Sequence, residues 1–182
     1  KIEEYAFYYC SGLTGDLSLP ATLTKLGSYS FFGCSGLNGS VNIQKNLNTI
    51  GAYPFLLCNN LTAFNVNMNN SLLASADGVL FSKNLDTLLI FPGAKGASYT
   101  IPASVRVLKD YSFYNCSKLT GSFDIPSNID SVGNYAFFGC SQLSAFTTNS
   151  GNARYKAQDG VLYSADMKRI IVYPALAAGG FT

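Results

Sequence analysis

Five cysteines constrain this chain more than any other feature. They stand at Cys10, Cys34, Cys58, Cys116 and Cys140, at separations of 24, 24, 58 and 24. Each closes the same phrase: Ala6-Phe7-Tyr8-Tyr9-Cys10, Ser30-Phe31-Phe32-Gly33-Cys34, Pro54-Phe55-Leu56-Leu57-Cys58, Ser112-Phe113-Tyr114-Asn115-Cys116 and Ala136-Phe137-Phe138-Gly139-Cys140. A Tyr lies five residues before every Cys, a branched aliphatic residue eight before, and a Leu three after. Self-similarity at a fixed period of 20–50 residues marks a repeat architecture. The gap of 58 holds an insert of about 35 residues, and the insert itself recurs. Asp77-Gly78-Val79-Leu80-Phe81-Ser82 matches Asp159-Gly160-Val161-Leu162-Tyr163-Ser164, and Phe91-Pro92 matches Tyr173-Pro174, all at an offset of 82. Phe181-Thr182 aligns in the same way with Tyr99-Thr100, and Lys1 with Lys25, so both ends read as falling in mid-unit.

A unit of 24 residues cannot bury its own apolar stripe; stacked copies bury it together, with strands about 4.8 Å apart. Leu17-Ser18-Leu19 alternates like a half-buried strand, and Pro20 ends it. The three-residue spacings that follow predict short 3₁₀ or irregular returns. The insert reads as a β-hairpin: Val79–Ser82 and Thr87–Pro92 around Lys83-Asn84-Leu85-Asp86, with a second copy in 161–164 and 169–174. Leu88–Phe91 and Ile170–Tyr173 are apolar on both faces and are expected to be buried. The domain reading is one leucine-rich-repeat solenoid over 1–182, a fragment of a longer array, with inserted hairpin segments about 67–101 and 149–182.

The phrase Ile50-Gly51-Ala52-Tyr53 followed by Phe55, Cys58 and Leu61-Thr62 resembles the BspA-type leucine-rich repeats of bacterial and some protist surface proteins. Asp77–Ser82 through Phe91-Pro92 is similar to that family's interspersed segment. The resemblance implies an α/β, right-handed, strand-rich solenoid that is secreted or attached to a cell surface and binds host proteins, matrix or other cells. It carries over no catalytic residue and no specific partner. Pro54 in place of a small residue, Gln44 in place of Pro and Thr148 at an apolar strand position depart from the pattern.

Chemistry-bearing residues are few. There is no His among 182 residues, which removes the usual general base and metal ligand together. The many Ser and Thr lack a base, no Gly-x-Ser-x-Gly elbow or Gly-Lys-Ser/Thr loop is present, and no CxxC pair exists. An enzyme is therefore not expected, nor a metal, nor any cofactor. The cysteines are expected as an inward-facing core ladder, and Asp77 and Asp159 as turn residues. A net charge of +2 without basic clusters excludes a nucleic-acid footprint, and the longest apolar stretch, 170–178, is too short to span a bilayer. Four Asn-x-Ser/Thr sequons (Asn38, Asn60, Asn69, Asn115) read as products of Asn- and Ser-rich turns. Two rows of side chains are candidate surfaces. Between the inward positions of the strands, Ser18, Asn42, Asn65, Asp124 and Thr147 point outward and form the candidate binding face for a protein ligand. Tyr8, Phe32, Leu56, Tyr114 and Phe138, two before each Cys, form a second row, read as packing between returns, with glycan stacking as the rival. The reading is a non-enzymatic extracellular or cell-surface adhesion module, with a structural spacer or a glycan-binding repeat as alternatives.

Overall fold

The computed structural model describes residues 1–177; Phe181-Thr182 and the end of the second insert lie outside the described residues. The chain winds as a strand-rich solenoid. Its first coils carry β1 (Leu17–Ser18), β2 (Lys25–Leu26), β3 (Ser40–Ile43), β4 (Thr49–Ile50) and β5 (Ala63–Val66). The first insert contributes β6 (Leu73–Ala76), β7 (Val79–Ser82) and β8 (Thr87–Ile90). Then come β9 (Val107–Leu108), β10 (Thr120–Ile125), β11 (Ser131–Val132) and β12 (Gln142–Thr148). The second insert supplies β13 (Tyr155–Gln158), β14 (Val161–Ser164) and β15 (Ile170–Val172). Coil-to-coil pairing is parallel in the orders β1-β3-β5, β2-β4 and β10-β12, and a mixed sheet runs β11-β9-β8-β7-β6.

The expected α component is not found, and of the expected 3₁₀ or irregular returns the irregular form is the one present: no helix of either kind occurs among the described residues. The hydrogen bonds explain why. In the returns of Tyr5, Tyr29 and Tyr111, each followed by a full-length return, every second N–H leaves the coil: Tyr29, Phe31 and Gly33 donate to the Ala52, Pro54 and Leu56 carbonyls, at 2.9 Å each. The N–H groups between them close three-residue turns, as Phe32 does on Tyr29 (3.1 Å) and Cys34 on Phe31 (3.2 Å). The spacing of three is real, but half the donors a helix needs are committed to the neighbouring coil. The path also requires two left-handed residues per return. One is the Tyr five before Cys (φ 50–61°); the other, directly before Cys, is Tyr9, Gly33, Leu57, Asn115 or Gly139.

Four cysteines form the expected ladder. Cys34, Cys58, Cys116 and Cys140 are buried, and each thiol points at the carbonyl of the preceding coil's Phe: Phe7, Phe31, Phe91 and Phe113, at 2.9, 3.0, 3.7 and 3.0 Å. Cys10 departs from the expectation and is exposed; among the described residues no earlier coil supplies that carbonyl. All five thiols are free. Burial pushes the Cys58 thiol up to about 12 and raises Cys34 and Cys116 as well. These groups stay protonated and unreactive at neutral pH.

Each insert is a three-stranded meander rather than a two-stranded hairpin; β6 and β13 precede the expected pair. The β6–β7 turn places both Asp77 (φ 47°) and Gly78 (φ 70°) in the left-handed region, the conformation of a two-residue I′ hairpin. A buried asparagine launches each meander. Asn70 donates to the Gln44 and Leu47 carbonyls (2.8 and 3.0 Å) and accepts from the Leu72 and Leu73 amides (2.8 Å each). Asn152, 82 residues on, does the same with Ile125, Pro126, Arg154 and Tyr155. The departures Gln44 and Thr148 are absorbed here, since Thr148 Oγ1 accepts from the Ala157 amide (3.1 Å). The core divides into two clusters that meet at β7: Leu80 faces the cluster of the earlier coils, Val79 and Phe81 that of the later ones.

The second strands of the inserts differ in burial. Leu88 and Phe91 are buried because β9 pairs with β8. Ile170 and Tyr173, expected to be buried, are 47% and 43% exposed, since β15 is an edge strand with no such partner among the described residues.

Coil five follows the inserted coil, whose return is short: Phe91 stands only three positions after Leu88, whereas Phe113 stands five after Leu108. This shows in the glycines. A Cβ on Gly51 would strike the Ser28 amide, and one on Gly27 or Gly133 would also strike backbone of the coil before, whereas the equivalent residue after the short coil is Lys109. Gly51→Ala is expected to destabilise by about 1–3 kcal/mol and Lys109→Ala to change little, measured by urea unfolding. Alkylation of the native protein with iodoacetamide should mark Cys10 alone, with the other four thiols reacting only after denaturation, as read by peptide mass spectrometry.

Candidate functional site

The strand face carries the first candidate row. Ser18 pairs in register with Asn42, Asn42 with Asn65, and Asp124 with Thr147. Their side chains link across the coils: Asn42 donates to Ser18 Oγ (3.3 Å), Asn65 to Asn42 Oδ1 (3.0 Å) and Thr147 to Asp124 Oδ1 (2.9 Å). All five are exposed except Asn42, which is half-buried. The five do not form one row, however. Ser18, Asn42 and Asn65 lie on the β1-β3-β5 sheet and Asp124 and Thr147 on β10-β12. The first insert separates them: its Asp77–Gly78 turn docks on β5, where Phe64 N donates to the Gly78 carbonyl (2.7 Å), and residues 98–101 of the inserted coil form no strand. An ion pair between Lys95 and Asp77 (3.1 Å) braces that turn.

The returns carry a second, aromatic surface. Tyr8 stacks on Phe32 (centroids 5.0 Å, planes 12° apart) and Tyr114 on Phe138 (5.3 Å, 15°), so this row packs between returns. It is also partly open: Tyr8 and Phe138 are 45% and 56% exposed, Phe32 and Tyr114 half-buried. Beside it runs a file of phenols, with Tyr5 stacked on Tyr29 (5.3 Å, 4°) and Tyr111 on Tyr135 (5.4 Å, 17°). Near-parallel stacking covers the ring faces and turns the edges outward. A sugar ring stacks on a face, so most of this ribbon presents no platform for one.

The stacked file is close to energetically neutral. A left-handed conformation costs about 1–2 kcal/mol in a residue with a Cβ, and an aromatic pair contributes about 0.5–1.5 kcal/mol beyond its burial. Stacking thus offsets the backbone cost of a Tyr at φ 50–61° in every full-length return, before the burial of the half-buried rings is counted. The sequence shows the Tyr period plainly, but the outward edge of the file follows from the left-handed backbone, which the period does not reveal.

The two aromatic rows break where the inserted coil lies. Its return has Pro92 in the outer position and no Tyr in the phenol position, so Tyr53 and Tyr111 meet directly, edge to face (4.9 Å, 76°). Asp110 lies beside them and accepts from the Asn134 amide (2.8 Å). Burial, then the Asp110 charge, raises the Tyr53 phenol.

A frame of stacked coils with side-chain files in register is that of a repeat protein whose surface, rather than a cleft, carries the function. The chain belongs to the BspA type leucine rich repeat region family, six copies of which match residues 1–95 and 89–175. It is similar in fold to a leucine-rich repeat protein from Eubacterium ventriosum (24% identity, TM-score 0.63, 85% of this chain and 47% of that one). It is similar too to the pneumococcal vaccine antigen PcpA (25%, 0.62, 75% and 40%) and to a leucine rich cell surface protein from Faecalibacterium prausnitzii (20%, 0.67, 85% and 46%). The chain thus spans less than half the length of each of these structures. No curated protein matches it. No helix among the described residues is long and apolar enough to cross a membrane.

Tyr135→Asn, which removes one stacked ring and relieves one left-handed Tyr, is expected to shift stability by less than about 1 kcal/mol; the midpoint of urea unfolding checks this.

Proposed function

We propose that this chain is a non-enzymatic binding module, displayed on a cell surface or secreted, that recognises host, matrix or cell-surface proteins through its extended repeat surface. Its solenoid is taken as right-handed, as parallel crossovers are in about 98% of cases. The observation that carries the reading is the phenol file: a Tyr in a left-handed conformation in each full-length return, ring edge outward, on a frame that holds every copy in register. Tyr supplies large, rigid contact area at low entropic cost, which is why it dominates many protein-binding surfaces. The polar strand face of Ser18, Asn42, Asn65, Asp124 and Thr147 offers a second contact row, in two segments. Family membership supports the reading, as do relatives in fold described as a cell surface protein and a vaccine antigen. The absence of His from the sequence supports the non-enzymatic part, since no Ser or Thr has its usual base.

Many weak contacts on a rigid face sum, so affinity should be spread over both rows. The folded chain, immobilised and exposed to a panel of matrix and cell-surface proteins, is expected to bind at least one saturably. The combined variant Asn42→Ala, Asn65→Ala, Asp124→Ala should weaken that binding about tenfold if the strand face takes part. No saturable binding by a chain shown to be folded defeats the proposal.

A further inference from the structure

The break in the aromatic ribbon differs from the rest of it in geometry and charge. Elsewhere coil-to-coil neighbours in these rows lie within 4–17° of parallel, apart from Tyr29 and Tyr53 at 49°. Here Tyr53 and Tyr111 stand at 76°, while Tyr111 and Tyr114 keep the inclined pairing (57°, centroids 5.5 Å) seen within other returns, as in Tyr5 and Tyr8 (72°). Rings inclined in this way, Tyr53, Tyr111 and Tyr114 among them, cannot cover each other's faces. They line a pocket floored by Phe91 and Pro92, where the short return of the inserted coil leaves room that a full return would fill. Its cavity volume is about 40 Å³ and one side is open, so it takes the flat end of a side chain and no folded element. Asp110 is the one lining residue with a formal charge at neutral pH. It is half-buried, and one of its oxygens already accepts from the Asn134 amide, so the carboxylate is held in place.

We infer that this pocket is an aromatic cage for a cationic side chain of the protein partner, arginine fitting best. The inference rests on the proposed binding function and names its anchoring contact. An aromatic face attracts a cation, most strongly when both are partly desolvated. A guanidinium lies flat on a ring while its fork reaches a carboxylate, a pairing that an ammonium matches less well. A buried arginine in a central pocket is also a usual hot spot of a protein interface. The sequence features behind the cage are the insert, whose short return has Pro92 in the outer position and no phenol, and Leu56 in the return before it, which carries no outer ring; together they open the two rows at one place.

The test uses Nα-acetyl-arginine methylamide and its neutral isostere Nα-acetyl-citrulline methylamide as probes, titrated into the whole chain while the Tyr ring resonances are followed by NMR. The arginine probe is expected to shift the Tyr53, Tyr111 and Tyr114 rings saturably, in the millimolar range usual for so small a ligand, and the citrulline probe to bind at least about tenfold more weakly. Asp110→Asn, whose amide oxygen still accepts from Asn134, and Tyr114→Leu, which removes a ring wall, should each weaken the arginine probe about tenfold. Equal responses to the two probes, responses unchanged in Asp110→Asn, or no saturable shift overturn the inference. The same variants are assayed on the matrix-protein panel. Binding that persists in Asp110→Asn without any cation response sinks the cage and leaves the binding function standing. A cation response with no protein bound does the reverse.

Discussion

Everything in this molecule depends on each coil finding its interior completed by the next. The Phe three before each Cys, with Phe91 of the inserted coil, forms the spine: Phe7 lies on Phe31 (4.7 Å, 4°), Phe31 on Phe55 (5.6 Å, 13°), Phe91 on Phe113 (5.0 Å, 27°) and Phe113 on Phe137 (4.8 Å, 8°). Each buried thiol satisfies its weak donor on the carbonyl of the Phe in the coil before, so spine and ladder keep the same register. Neither ring nor thiol would be dry in an isolated coil, because the surfaces that cover them belong to its neighbours. The polar strand rows and the phenol file inherit their regularity from this stack.

How much of this the sequence discloses depends on whether a feature is periodic or conditional. The Cys register, the Asp-Gly turns and strand β7 are periodic and stand in the structure as the spacing places them. The helical content is not, because a spacing of three fits both a 3₁₀ turn and a return whose alternate amides bond outward; only the partner coil decides. Strands β6 and β13 were hidden for another reason: Leu73–Ala76 and Tyr155–Gln158 are short and weakly patterned, and what fixes them is the Asn70 or Asn152 side chain just before. That both asparagines stand 82 residues apart was the one available clue. Burial at the ends is conditional too. Cys10 and Ile170 have the same pattern as their buried equivalents and lack only a neighbour among the described residues.

The surface follows the same division. Alternation along the strands marks Ser18, Asn42, Asn65, Asp124 and Thr147 as outward-facing, and cross-strand hydrogen bonds join them in threes and twos. Nothing in alternation reveals that the meander would dock between the two groups, since that depends on where the Asp77–Gly78 turn comes to rest. The pocket of Tyr53, Tyr111 and Tyr114 is still less legible. It is made by residues that are missing from the short return, and an absence leaves no motif.

Strand β7 has a further role that follows from its two faces. Leu80 belongs to one hydrophobic interior and Val79 and Phe81 to the other, so a single extended segment acts as a party wall between two compartments. In a quasi-one-dimensional molecule, stability is a sum of local and nearest-neighbour terms. A wall of this kind makes it possible for one compartment to loosen while the other stays intact. Unfolding that starts in either compartment would meet a stopping point there, so the described coils are expected to behave as two linked blocks instead of one zipper.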